Sequence, residues 1–202
     1  MRIGKKLIIT IIALNLASTG ILVGVILSLS KDSITGHVTN EITNLAGENA
    51  DSMRAWMEVY IDGARTIAQI MEQYEQFDAA ERRPLFNMLL KTMMEKNPTI
   101  TGASTAWEPN ALDNMDARFT NTEGTDGTGR FIPYWSQTRN GLTVVPLVGY
   151  ETPGTGDYYL IPRRTGNETI VDPYWYPVDG QNVLITTMAV PIKNKGRFVG
   201  SV

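Results

Sequence analysis

Cysteine is absent from the 202 residues and histidine occurs once, at His37. Without a thiol there is no disulfide, no thiolate nucleophile and no zinc site built on sulfur, and such a chain suits an oxidising compartment. A single histidine lacks the partners of a triad or metal site, so His37 reads as a surface residue. Acidic residues are missing before Asp32, while Arg2, Lys5, Lys6 and Lys31 give that stretch +4 and leave −7 for the remainder. The acidic remainder has no cluster of basic residues interleaved with aromatics, which excludes nucleic acid as a partner. No nucleophile beside a matching base, no phosphate-cradling glycine loop and no metal constellation is visible, so the sequence reads as non-enzymatic and without a cofactor.

What is present begins with an apolar run. Leu7 to Ser30 is free of charge over 24 residues, enough at about 1.5 Å per residue to cross a hydrocarbon core of about 30 Å. The Arg2, Lys5, Lys6 group outweighs Lys31, which Asp32 follows at once, so residues 1–6 are expected in the cytoplasm and everything after 31 outside. A cleaved signal peptide is the rival reading. The run exceeds the usual length of about 7 to 15 residues, and no small-x-small cleavage site follows.

Beyond the span, one face runs through Ile34, Val38, Ile42, Leu45, Asn49, Met53, Trp56, Tyr60, Ala64, Ile67, Met71 and Tyr74, a mean step near the helical 3.6. One long helix over 31–78 is therefore expected to continue the membrane helix of 7–30. Its reach of about 60 Å points to a stalk or dimer seam, with packing on its own sheet as the alternative. Gly47 and Gly63 weaken an uninterrupted rod. Asp78 with Glu81 resembles a capping pair ahead of a second helix over about 79 to 96, whose Met88, Met93 and Met94 read as adaptable core.

From Thr99 onward the texture changes to β-branched and aromatic runs: ITGASTAW, RFIPYW, LTVVPLVGY, DYYLIP, NVLITTMAVPI and GRFVGSV. Asn140-Gly141, Asp179-Gly180 and Lys195-Gly196 read as tight turns. Helices first and strands afterwards predict an α+β fold with an antiparallel sheet. Asp113, Asp116 and Asp126 lack the spacing of a calcium loop and read as parts of a solvated loop. Asn167-Glu168-Thr169 matches a glycosylation acceptor by pattern alone.

The segment 130–176 concentrates Arg130, Phe131, Tyr134, Trp135, Tyr150, Tyr158, Tyr159, Tyr174, Trp175 and Tyr176. Such density suits a small-molecule pocket with flat faces for a cation and hydroxyl tips for orientation, but strand aromatics also serve as core. Arg130 either clamps a carboxylate through its planar fork or covers apolar surface with its head in water. Asp172, before Pro173, either receives an ammonium or starts a turn. The candidate ligand-binding residues are Arg130, Tyr134, Trp135, Tyr158, Asp172, Tyr174 and Tyr176.

The order WEPNALDNMD, GRFIPYW and VDPYWYPVDGQNVLITTMAVPIKNKGRFVG resembles the double Cache sensory domains of bacterial chemoreceptors and sensor kinases over about 33–202. The resemblance implies a PAS-like, membrane-distal ligand-binding module over 79–202, cut short at its C-terminal end. It also implies a membrane-proximal module and second span beyond Val202, and a homodimer in the bacterial inner membrane. In the family's amino-acid-binding branch an Arg and a Trp-Tyr pair hold the carboxylate, and a Tyr-x-Asp step receives the ammonium. Arg130 with Tyr134-Trp135 matches with wider spacing and reversed order; Tyr174 matches, but Tyr176 stands where the Asp would be. An amine, an amino acid or another small metabolite is the expected ligand. Chemotaxis, histidine-kinase and nucleotide-cyclase outputs all share this input domain. A pilin-like subunit is the structural alternative, but the Gly-Phe step and early Glu of pilins are missing, since Lys5 follows Gly4.

Overall fold

A computed structural model describes residues 2–139 and 141–202, without the side chains of residues 2 and 32–34. The chain divides into two compact units, one reaching Trp56 and the other beginning at Met57. The first unit is helical throughout its described residues. It belongs to α1 (Arg2–Met71), which contains a stretch long and apolar enough to cross a membrane. Val38, Ile42, Leu45 and Met53 of the periodic face are exposed along it. Ile34, also assigned to that face, lies outside the described side chains.

The second unit holds the last residues of the same helix. Ile61, Ala64, Ile67, Ala68 and Met71 are buried, so here the periodic face packs on the unit's own core. The helix ends at Met71 rather than reaching 78. Gln73 N–H bonds back to Ile70 O at 3.1 Å, a tightening to three-residue spacing that leads into the 3-10 turn Tyr74–Gln76. Tyr74 then docks edge-on against Trp107, with ring centres 5.2 Å apart.

Helix α2 (Ala79–Lys96) forms as the sequence predicts, with Asp78 at its N-cap, but the capping pair does not. Asp78 makes no side-chain cap bond, because the Glu81 N–H already donates to the Asp78 carbonyl at 2.9 Å. Phe86, Leu90 and Met94 bury one face of α2. Arg83, on the same helix, is buried with Asp113 and Asp116. Its Nε donates to Asp113 at 2.6 Å, its terminal nitrogens reach Asp116 and the Gly129 carbonyl, and its plane lies over Phe119. This corrects the expectation of a solvated loop for those two aspartates: a buried guanidinium requires carboxylate partners. Gly129 makes the close approach possible, since with φ at 71° any side chain there meets the Asp116 carbonyl.

All strand pairs are antiparallel. Strands β1 (Gly102–Ser104), β3 (Pro133–Thr138) and β4 (Gly141–Pro146) form one sheet in the order β1-β3-β4. A second sheet orders β2 (Ala106–Trp107), β8 (Arg197–Ser201) and β7 (Pro191–Asn194). Thr105 stitches the two together: its N–H donates to Pro133 O and its hydroxyl to Ser201 O. A long hairpin of β5 (Thr169–Val178) and β6 (Gln181–Ala189) completes the set.

The Asp179-Gly180 and Lys195-Gly196 turns form as expected, with positive φ at all four residues, the geometry of tight hairpins. The Asn140-Gly141 turn falls on Asn140, outside the described residues. DYYLIP, read as a strand, is instead helix α3 (Asp157–Thr165). Tyr158, Tyr159 and Pro162 bury one face at helical spacing, and Gly166 ends the helix at φ 68°. Conversely, β5 was not legible as a strand run. It tolerates Pro173 at a bulge between Val171 and Tyr174, and among the described residues it pairs only with β6.

Candidate functional site

The sheets separate two apolar clusters. On one face, α1, α2 and the Trp107 region pack together; on the other lie Tyr134, Tyr150, Tyr158, Tyr159 and Tyr176, with Tyr174 against them. Strand alternation assigns β3 to both. Tyr134 enters the tyrosine cluster, while Trp135 turns to the helix side, where its indole N–H donates to Asn87 at 3.1 Å and Lys91 lies 5.9 Å from its ring.

Four of the candidate residues therefore meet. Tyr134 stands edge-on to Tyr176 with centres 5.3 Å apart, Tyr158 stacks on Tyr174 at 6.4 Å, and Tyr158 meets Tyr176 edge-on at 6.1 Å. Three elements supply them: β3 gives Tyr134, α3 gives Tyr158, and alternate positions of β5 give Tyr174 and Tyr176. Ile132, Leu147, Val183 and Ile185 fill the spaces between.

The hydroxyls are mostly committed. Tyr176 accepts the Val148 N–H at 3.1 Å, and Tyr158 donates to the Val148 carbonyl at 3.0 Å, so the loop after β4 is held at one residue by two rings. Tyr174 pairs with Thr187 at 2.8 Å. Tyr134 is the exception: its hydroxyl is buried and has no hydrogen-bond partner among the described residues. The other such buried group, the Trp107 indole N–H, lies on the helix face. Burial raises the pKa of Tyr134, Tyr158 and Tyr176, and pushes Tyr174 up to about 12. All four are neutral phenols at physiological pH.

Gly102 explains how the Tyr134 ring is seated. A Cβ at position 102 would meet the far end of that ring, so glycine lets the ring sit where it does. Sequence reasoning had no signal for this, because the two residues are brought close only by the β1-β3 pairing.

Arg130 borders the cluster. The residue is 3% exposed, which removes the alternative of a head kept in water. It lies over the rings of Tyr150 and Tyr159, at 4.8 and 5.3 Å, and donates to Trp107 O, Glu151 and the Tyr159 hydroxyl. Burial opposes the charge, but Tyr159, Tyr150, Glu108 and Glu151 outweigh it and raise the Arg130 pKa. Tyr159 in turn donates to Glu108, which Arg163 bridges at 2.7 Å. Glu108 and Glu151 were not among the sequence candidates, since lone glutamates in loops carry no pattern. Asp172 is exposed within the β5 bulge, neither in a turn nor among the tyrosines.

The arrangement is chemically suited to binding. It offers electron-rich ring faces, neutral hydroxyls and a buried cation at one border.

Known proteins share this plan. Residues 86–202 match the family described as methyl-accepting chemotaxis protein-like, first PDC sensor domain. The methyl-accepting chemotaxis protein TlpQ of Pseudomonas aeruginosa is 28% identical over 151 residues, covering 68% of this chain and 21% of that protein. Among solved structures, the extracellular domain of mmHK1S-Z3, assigned as a histidine kinase, is 35% identical with a TM-score of 0.65, covering 73% of this chain and 50% of its own. The mmHK1S-Z2 domain is 32% identical with a TM-score of 0.67, covering 78% and 56%. The chain thus spans about one-fifth of the curated relative and about half of these solved domains. With more than half of its residues inside the matched segment, the chain belongs to the methyl-accepting chemotaxis protein-like family of first PDC sensor domains.

Proposed function

We propose that this chain is the outward-facing input region of a bacterial chemoreceptor, anchored by residues 7–30 with its N-terminus in the cytoplasm, and that its tyrosine cluster binds a small metabolite. The family and the TlpQ relative support the receptor class. The observation that carries the site is the buried, unpartnered Tyr134 hydroxyl. Leaving such a group unpaired costs about 1–3 kcal/mol, a cost that a ligand hydrogen bond removes.

The ring faces favour an amine or another small cationic metabolite. A free α-amino acid fits less well. Arg130 is already engaged by Trp107 O, Glu151 and Tyr159, and Tyr176 replaces an acid that would hold the ammonium. Tyr134→Phe removes the free hydroxyl and keeps the ring. Calorimetry of the chain in lipid nanodiscs against amines, amino acids and organic acids is expected to find a ligand, with Tyr134→Phe weakening it about tenfold. Binding by no compound, or equal binding by the variant, overturns this site.

A histidine-kinase output is the second reading, favoured by the two mmHK1S domains at 35% and 32% identity. In either case the exposed Val38, Ile42, Leu45 and Met53 face of α1 supports a homodimer seam.

A further inference from the structure

The second unit fastens its stretch of α1 to the β-rich part through several side chains. Glu72 accepts the Lys193 N–H at 2.9 Å, and Asn194 donates to Tyr74 and Glu75 at 2.7 and 2.8 Å. Arg65 makes a different kind of contact. Its Nε donates to one oxygen of Glu168 at 2.7 Å and a terminal nitrogen reaches the other, a planar fork on a carboxylate 103 residues away. The remaining terminal nitrogen holds Asp62 at 2.5 Å and Glu58 at 3.3 Å, both one or two turns back on the same helix.

Arg65 therefore has two sets of acidic partners. If Glu168 withdraws, the guanidinium stays paired with Asp62 and Glu58. The Arg65 and Glu168 side chains are 33% and 40% exposed, so water solvates each as they part. Glu168 itself stands between Gly166, the end of α3, and Thr169, the first residue of β5. These two elements carry Tyr158, Tyr174 and Tyr176. A shift of α3 and β5 against the tyrosine cluster is thus felt first at Glu168. Bonding to Glu168 and then to Asp62 raises the Arg65 pKa, and the bond to Arg65 lowers that of Glu168, so both stay charged near neutrality.

We propose that Arg65 is a two-position latch: bound to Glu168 as well as to Asp62 and Glu58 it ties the α3–β5 junction to α1, and held by Asp62 and Glu58 alone it releases that junction. Readout of the tyrosine site through this latch rests on the sensor role proposed above. The latch itself is tested without ligand, so the two fail separately.

The cysteine-free chain allows nitroxide labels at Gln69→Cys on α1 and Arg164→Cys on α3, both exposed, in the full chain in lipid nanodiscs. Electron–electron dipolar spectroscopy then reads the distance between them. Glu168→Gln is expected to raise the longer-distance population about twofold or more, and molar salt to do the same to the unsubstituted protein. Asp62→Asn with Glu58→Gln removes the only acidic partners that the released Arg65 keeps and is expected to lower that population. This opposite sign separates a latch from a static ion pair. Distances unchanged by Glu168→Gln, or a shift of both variants in the same direction, overturn the proposal. A distribution unmoved by Asp62→Asn with Glu58→Gln does so too.

Discussion

Arg83 and Asp113 show how far burial decides what a charge contributes. Their side chains are 5% and 0% exposed, with Asp116 completing the group at 7%. Removing one member leaves charge behind in a place that water does not reach, which costs about 3–5 kcal/mol when the pair is complete. Asp113→Ala leaves Arg83 with Asp116 and the Gly129 carbonyl, so a loss near the lower bound, about 3 kcal/mol, is expected from urea denaturation. Arg54→Ala supplies the contrast. Its partner Asp51 lies 3.6 Å away, and both side chains are more than three-quarters exposed, so the denaturation midpoint is expected to stay where it is. Equal effects of the two substitutions would show that Arg83 is solvated. Nothing local marks this difference: Asp113 and Asp116 sit in a loop with Asn, Gly and Thr, a texture shared by solvated loops, and Arg83 lies 30 residues before Asp113.

Single elements carry the next level of organisation. The Asp179-Gly180 and Lys195-Gly196 turns, and with the second of them the β7-β8 hairpin, were legible because these steps bear their conformational requirement locally, at positive φ. Helix α3 was not. Tyr158, Tyr159 and Ile161 favour strands when taken one by one, and what makes them helical is the tertiary face that receives Tyr158 and Tyr159, with Pro162 buried beside them. The same packing that hid α3 assembles the candidate site, so the aromatic density was readable while its geometry was not. Trp135 illustrates the gap, since being adjacent to Tyr134 in a strand places it on the opposite face. The assembled tyrosines predict a pH response. Burial raises the pKa of Tyr134, Tyr158, Tyr159 and Tyr174 above the ordinary 10.0, to about 12 for Tyr174. The folded state keeps these protons where the unfolded chain loses them. Their contribution is therefore whole below pH 10 and falls as pH rises through 10 toward 12 and beyond. Phenolate absorbance, followed with circular dichroism during an alkaline titration, is expected to rise only as the fold is lost for these rings. Full ionisation near pH 10 with the fold intact would place the rings in water.

At the scale of the whole chain, the periodic face of α1 has two environments. From Ile61 to Met71 it is covered by α2 and the sheets, whereas Val38, Ile42, Leu45 and Met53 are 47% to 64% exposed. One helical pattern thus continues after intrachain cover has stopped. A solvated helix has no need of apolar residues at this spacing, and in the proposed homodimer a second copy would supply the same stripe in return, as a two-fold seam requires. Because the chain contains no cysteine, each introduced thiol reports on a single position. Ile42→Cys lies on the stripe, and Asn44→Cys, two residues on, lies about 200° around the helix. In membranes under mild oxidation, Ile42→Cys is expected to give a disulfide-linked dimer several times faster than Asn44→Cys. Equal rates would mean collisional contact without a seam, and faster linkage at Asn44→Cys would put the partner on the polar side. Preference for Ile42→Cys would make the exposed half of the stripe an interface between two copies, on the same helix whose buried half carries Arg65.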